Sequence, residues 1–208
     1  MKAMVHSHRC LRVLALVLAL IMSLSLAACG EADPSENAPA EAGKALIVYF
    51  SWSPSGNTER LATALQQATG ADILRLEPTV AYPSDYSECA EVALAERDEN
   101  ARPEIANLPE TLDAYETVFV GYPIWWHTAP MLIGTFLEHY DWNGRNVYPF
   151  AQSASMDAEQ FANSMDFVRE CAKGATVHDG LFASADDAEG ILAYLTENGF
   201  INKKEGTR

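Results

Sequence analysis

A polar stretch from Ser51 to Thr58 gathers hydrogen-bonding side chains over a few positions. Within it, Ser53, Ser55, Asn57 and Thr58 can each donate a side-chain hydrogen bond, and Gly56 lets the backbone approach a ligand closely. Apolar residues at helical spacing follow from Leu61 to Ala68, so this stretch precedes a helix. A helix N-terminus favours an anion, typically a phosphate. The alternative is an ordinary helix cap supplied by Asn57 or Thr58.

A second stretch, from Pro123 to Thr128, is aromatic rather than polar. With the preceding Tyr122, the adjacent Trp125 and Trp126 place three aromatic rings in five positions. Two adjacent tryptophans do not pack easily on one face of a helix or strand. We therefore expect at least one of them to face a cleft, where a flat aromatic ligand can stack on it. The alternative is that neighbouring loops bury both rings.

Nucleophilic, metal and nicotinamide chemistry have little support in the sequence. The four cysteines are Cys10, Cys29, Cys89 and Cys171, and no two are close enough for a metal site or a CxxC motif. Cys89 and Cys171 fit either one disulfide or two separate buried thiols. A phosphate-ester hydrolase would need a nucleophile and a base, and no such pair is evident. The GxGxxG fingerprint of nicotinamide binding is absent.

Strand and helix patterns alternate five times after residue 44. The predicted strands are Ala45–Phe50, Ala71–Glu77, Thr117–Tyr122, Asn146–Ala151 and Ala175–His178. The predicted helices after the one that follows Thr58 are Tyr86–Glu99, Ala129–Tyr140, Ala158–Cys171 and Asp186–Glu197. Pro149 fits its strand only near the end. This alternation predicts a doubly wound α/β domain, with a parallel sheet covered by helices on both faces.

Ligands of doubly wound sheets bind outside the carboxyl ends of the strands. Three loops leave strands at that edge, namely Ser51–Thr58, Pro123–Thr128 and Gln152–Asp157. We expect them to form one site. Two acids, Asp141 and Asp157, are predicted beside it, and neither has a spacing that assigns a catalytic role.

The N-terminus has the pattern of an export signal. Lys2, Arg9 and Arg12 lead into an apolar run from Val13 to Leu26, and Leu-Ala-Ala-Cys ends at Cys29. This ending resembles the lipobox of bacterial lipoproteins. The resemblance implies cleavage before Cys29 and lipid attachment to its thiol. The alternative is an ordinary secretory signal that happens to end near a cysteine.

The predicted organisation has four parts. They are a lipoprotein signal peptide (1–28), a lipidated cysteine with a flexible acidic tether (29–43), an α/β domain (44–200) and a C-terminal tail (201–208). Removing the first part takes away three positive charges, so the formal charge falls from -15 to -18. Such an acidic chain repels nucleic acid and anionic lipid headgroups. Membrane attachment is therefore expected from the lipid anchor alone.

Three sequence stretches together resemble the flavodoxin family. They are LIVYFS…SGNT at 46–58, YPSDY at 82–86 and VGYPIWW at 120–126. The resemblance implies a flavodoxin-like sheet of five parallel strands in the order 2-1-3-4-5 and one bound FMN. It places the FMN phosphate in the first loop, among Ser53, Ser55, Gly56, Asn57 and Thr58. It places the ribityl chain and isoalloxazine ring along Pro123, Ile124, Trp125 and Trp126.

The chain departs from the family pattern in each loop. The first loop has an added Ser51-Trp52 before its motif. The second has His127 where the family often has glycine, and this imidazole can donate to the flavin or remain a solvated loop residue. The third, Gln152–Asp157, lacks glycine, so its backbone approaches a ring less freely. Gln152 and Ser153 are the predicted partners of the polar edge of the ring.

The sequence therefore predicts an FMN-binding redox protein that a lipid holds at the outer face of the cytoplasmic membrane. An electron carrier and a small FMN-dependent oxidoreductase, such as a flavin reductase, both remain open. The expected partner is an unidentified redox protein or small-molecule substrate, and no nucleic acid. The alternative is a lipoprotein that has kept the fold, lost the flavin and acts as a binding module.

Overall fold

The computed structural model describes residues 44–152 and 157–202. The predictions for residues 1–43, including lipidated Cys29, lie outside this part, as do those for Ser153 and residues 203–208. The strands are β1 (Ala45–Tyr49), β2 (Asp72–Arg75), β3 (Thr117–Tyr122), β4 (Asn146–Ala151), β5 (Thr176–Val177) and β6 (Leu181–Phe182). The helices are α1 (Asn57–Thr69), α2 (Tyr86–Asp98), α3 (Met131–His139), α4 (Ala158–Cys171) and α5 (Ala188–Glu197).

All strand pairings of the sheet are parallel, in the order β2-β1-β3-β4-β5, with β6 also paired to β4. This arrangement confirms the predicted doubly wound fold. The order changes direction at β1, whose two neighbours are β2 and β3. The carboxyl ends of β1 and β3 therefore lie side by side, and so do the loops that follow them.

The fifth strand position is split, which the sequence pattern did not predict. β5 pairs with Asn146 and Val147 of β4, and β6 pairs with Phe150 and Ala151. Val147 accepts a hydrogen bond from the His178 N–H on this side (2.9 Å). Pro149 faces the same side two residues later and has no N–H to donate. Pro149 is the fourth of the six residues of β4, and the interruption between β5 and β6 accommodates it there.

Alternate residues of the central strands pack into two separate cores, one on each face of the sheet. Leu46 and Val48 of β1 pack on the side covered by α3 and α4, whereas Ile47 and Tyr49 pack on the side covered by α1 and α5. α2 packs beside α3. Every residue of β3 is buried, so helices cover this strand on both faces. Its nearly continuous apolar sequence is typical of such a strand.

Cys89 and Cys171 are free, buried thiols, so the disulfide alternative is wrong. They belong to α2 and α4, and α3 packs against both of these helices and keeps them apart. Burial raises the pKa of Cys89 to about 11 and that of Cys171 to about 12. Both thiols are therefore protonated at neutral pH, which disfavours a nucleophilic role.

Smaller sequence predictions are also corrected. α3 begins at Met131 rather than at the predicted Ala129, so Pro130 lies just before the helix. Asp141 lies between α3 and β4, at the amino end of the strands, so it does not flank the site. Among residues 44–152 and 157–202, no helix is long and apolar enough to cross a membrane, and no acid, histidine and cysteine side chains cluster as metal ligands.

Candidate functional site

The first loop leaves β1 between its two neighbouring strands. The Phe50 N–H donates to the Gly121 carbonyl of β3 (2.9 Å), and the Leu76 N–H donates to the Tyr49 carbonyl (2.7 Å). Ser51 is buried directly after this anchor. The start of the loop is therefore fixed to both sides of the sheet, and the segment from Trp52 onward lies at its carboxyl edge.

The loop ends in a tight turn that leads directly into α1. The Gly56 N–H donates to the Ser53 carbonyl (2.8 Å), and Gly56 has a left-handed φ of 60°. The Ser53 and Ser55 hydroxyls are 2.6 Å apart, and the Ser55 N–H lies 3.2 Å from the Ser53 Oγ. Glycine is favoured at such a φ because a Cβ atom would be strained there.

The N-terminus of α1 has no side-chain cap. Its N-cap residue is Gly56, so the alternative of a cap by Asn57 or Thr58 is wrong. By contrast, α2, α4 and α5 begin with Asp85, Asp157 and Asp187, whose carboxylates accept backbone N–H groups. The start of α1 thus lacks the capping carboxylate that accepts backbone N–H groups in these three helices.

The second loop contains a two-residue reversal. The Trp125 N–H donates to the Thr128 carbonyl (2.9 Å), and the Thr128 N–H donates back to the Trp125 carbonyl (3.0 Å). Between them, Trp126 and His127 have φ values of 48° and 64°. Positive φ at both central residues is the requirement of a type I′ turn, which favours glycine. This geometry explains why glycine suits the position that His127 occupies.

Trp125 belongs to an aromatic cluster that joins three segments of the chain. Its ring lies 5.5 Å from Phe50, 6.2 Å from Trp52 and 5.1 Å from Tyr82, each nearly perpendicular to it. The Trp52 indole N–H donates to the Pro83 carbonyl (2.8 Å), which fixes that ring to the segment before α2. The cluster therefore holds the first and second loops against each other.

Trp126 points toward α2 and is 38% exposed. Its indole N–H donates to the Ala90 carbonyl (2.9 Å), and the Arg97 guanidinium lies 5.7 Å from its ring centre. Such a cation–π contact contributes roughly 0.5–1 kcal/mol at an exposed site. The two adjacent tryptophans thus take different partners, one within the aromatic cluster and the other on α2.

A cavity of about 200 Å³ lies where these segments meet. It is lined by Trp52, Tyr86, Cys89, Ala90, Ala93, Ile124, Trp125, Trp126 and His127. Both tryptophans of the second loop therefore face a cavity, and the alternative that neighbouring loops bury them is not supported. Pro123 is half-buried where the second loop leaves β3.

The third loop follows β4. Of its predicted partners, Gln152 is half-buried, and its Oε1 accepts a hydrogen bond from the Ala185 N–H (3.2 Å). Asp157 forms a capping box with Gln160 at the start of α4. Asp157 therefore has a structural role as a helix cap. The side-chain carbonyl of Gln152 is held by the segment before α5.

Several residues of this region were not predicted as site residues. Trp52 and Tyr82 build the aromatic cluster, and Arg75 donates to the Ser51 carbonyl (3.0 Å) and pairs with Glu59 (3.2 Å). Burial raises the pKa of Glu96, whose Oε2 accepts from the Tyr82 hydroxyl (2.8 Å). The YPSDY segment was the available sequence signal for Tyr82, whereas nothing local marked Arg75.

Comparison with known proteins agrees with this geometry. The family model described as Flavodoxin matches residues 44–195. A candidate flavoprotein of Bacteroides eggerthii DSM 20697 shares 32% identity over 74% of this chain and 96% of its own, with a TM-score of 0.66. One from Bacteroides uniformis ATCC 8492 shares 28% identity over 74% and 98%, also with a TM-score of 0.66. No curated protein sequence matches the chain.

A flavoprotein of Lactobacillus acidophilus NCFM, solved in complex with FMN, shares the fold at 23% identity. The match covers 68% of this chain and 93% of that protein, with a TM-score of 0.58. The family model spans most of the chain. The matched residues include the whole sheet, the turn at Gly56 and the aromatic second loop. The chain therefore belongs to the flavodoxin family.

Proposed function

We propose that this protein binds FMN and passes electrons through it to a partner outside the cytoplasm. The observation that carries this proposal is the uncapped N-terminus of α1, which follows the loop whose Trp52 packs against Trp125 of the second loop. One end of such a site suits a phosphate and the other a flat aromatic ring. Bound FMN supplies the transfer of one or two electrons, and the chain supplies binding, orientation and a local field.

The phosphate end of the proposed site consists of backbone and hydroxyl donors. Gly56 leaves the first N–H groups of α1 without a side-chain acceptor, and Thr58 is buried beside them. Ser53 and Ser55 add hydroxyls, and no lysine or arginine lies between Ser51 and Thr58. Such a donor set fits a phosphate held by the helix dipole and neutral hydrogen bonds.

The ring end consists of aromatic and amide groups. Trp125 and Trp126 offer stacking surface, while Pro123 and Ile124 lie along the path between the two ends. His127 is exposed beside the cavity, where its imidazole is free to meet a ligand. Gln152, with Ser153, is the proposed partner of the polar edge of the ring. We further propose that lipid on Cys29 anchors the chain at the outer face of the cytoplasmic membrane.

The first test is the colour of the purified full-length protein. We expect a yellow preparation, or an apoprotein that takes up about one FMN per chain, measured by flavin absorption and fluorescence. A chain that binds neither FMN nor riboflavin would instead support the binding-module alternative.

One substitution tests the phosphate end of the site. Thr58→Ala removes a hydroxyl at the start of α1, and we expect FMN affinity to fall about tenfold or more, since a hydrogen bond to a charged group contributes about 1.5–3 kcal/mol. Riboflavin has no phosphate, so its binding should hardly change. Thr69→Ala is the matched control, because it removes a hydroxyl at the other end of α1.

Trp125→Ala and Trp126→Ala should act on the ring instead and weaken FMN and riboflavin alike. Titration of apoprotein, followed by flavin fluorescence, measures all four variants. The assignment of the loops fails if Thr58→Ala leaves FMN binding unchanged or if both tryptophan variants bind riboflavin normally.

A further inference from the structure

An acidic side chain stands at the proposed phosphate end. Glu59 lies in the first turn of α1, and its Oε2 is 3.6 Å from where a Cβ atom on Gly56 would be. A carboxylate in this position interacts favourably with the helix dipole when no ligand is present. A phosphate monoester adds roughly two negative charges at the same end, so the carboxylate would repel it.

Arg75 contacts both this carboxylate and the loop. It is the last residue of β2, paired in register with Tyr49 of β1. One guanidinium nitrogen lies 3.2 Å from Glu59 Oε2, and the other donates to the Ser51 carbonyl at 3.0 Å. Ser51 is 4% exposed, so this contact holds the buried start of the loop.

The ion pair between Arg75 and Glu59 contributes little to folding stability. Both side chains are nearly half exposed, at 46% and 45%, and exposed pairs contribute about 0–1 kcal/mol. The other arginine near the start of α1, Arg60, is directed to Asp186 instead. Arg75 is thus the basic group that faces Glu59. Its contacts with Glu59 and Ser51 suit a role in the proposed phosphate site better than a role in folding stability.

We propose that Arg75 is a positioning residue of the phosphate site. It neutralises Glu59, draws that carboxylate toward β2 and fixes the Ser51 carbonyl, so that the N-terminus of α1 stays open to a phosphate. This inference rests on the proposed function, because it assigns Arg75 to the phosphate end of the same cofactor.

The test compares FMN with riboflavin in full-length apoprotein. Arg75→Gln leaves Glu59 unneutralised, and we expect FMN affinity to fall about tenfold while riboflavin affinity changes less than about twofold. The loss should shrink at high salt, since added ions screen exposed charges. In Glu59→Gln/Arg75→Gln, the repelling charge is gone, so FMN affinity should return to within about threefold of the unmodified protein.

Arg169→Gln is the matched control. Arg169 forms an exposed ion pair with Asp166 near the end of α4, so the variant loses the same charge away from the site. It should change the binding of neither flavin.

Equal losses of FMN and riboflavin in Arg75→Gln would overturn the inference, because they indicate general support of the loop. A double variant as weak as Arg75→Gln would overturn it too. In both cases the unmodified protein still binds FMN, so the proposed function stands. Failure of the unmodified protein to bind either flavin overturns the proposed function and this inference with it.

Discussion

His127 combines an unfavourable backbone conformation with an exposed side chain. Its φ of 64° lies in the left-handed region, which costs a residue with a Cβ atom roughly 1–2 kcal/mol. The reciprocal hydrogen bonds between Trp125 and Thr128 enforce this conformation. Non-glycine residues kept at such positions are often found at functional sites. This geometry is consistent with a role for the imidazole beside the cavity.

His127→Gly should therefore stabilise the protein. We expect the free energy of unfolding to rise by about 1 kcal/mol, because glycine adopts a positive φ without strain. Urea unfolding measures the change. His127→Ala is the control, since it removes the imidazole but keeps the Cβ atom and should bring no such gain. Equal stabilisation by alanine would show that the side chain, not the backbone, is responsible.

At the scale of elements, β3 and β4 meet at an unusually close contact. Gly121 pairs in register with Phe150, and a Cβ atom on Gly121 would lie 2.1 Å from the Phe150 Cζ. Phe150 is fully buried. The absence of a side chain at Gly121 therefore leaves room for this ring in the core.

Gly121→Ala should destabilise the sheet by about 1–3 kcal/mol through overpacking. Phe150→Leu should also destabilise the protein, because it removes buried ring contacts. The two changes should be non-additive, with Phe150→Leu less costly in the Gly121→Ala background. Thermal or urea unfolding of the three variants measures this coupling, and strictly additive losses would contradict it.

At the scale of the whole molecule, stability comes from the two cores rather than from surface charges. The ion pairs among the described residues involve mostly exposed partners, such as Lys44 with Asp72 at 57% and 48%. Exposed pairs contribute little, whereas each buried aliphatic or aromatic side chain contributes about 1.5–3 kcal/mol.

The proposed lipid anchor is a property of the whole chain. Cys29→Ser should release the protein from the membrane fraction, because serine cannot carry the thioether-linked lipid that the Leu-Ala-Ala-Cys junction implies. Cys10→Ser is the matched control and should leave the protein with the membranes. Fractionation and mass measurement follow both variants. A Cys29→Ser protein that is processed normally and stays with the membranes would contradict the anchor.

The sequence by itself determined the order of strands and helices. β3, β4 and α4 have the predicted bounds, because a continuous apolar run and helical spacing are local properties. It also placed the first two loops at one edge, since parallel strands end together. The motif residues of these loops are local features too, so they indicate the family without the tertiary contacts.

Only the tertiary structure decided how the loops meet. Trp52 contacts Pro83, 31 residues away, and Arg75 contacts Ser51, 24 residues away. No local pattern encodes such pairs, because they depend on which strands become neighbours. The separation of β5 from β6 is likewise a tertiary feature. Pro149 has no N–H to donate to the neighbouring strand, and that strand lies about 30 residues further along the chain. Periodicity reports what one segment prefers, whereas packing between segments selects the partners that complete the site.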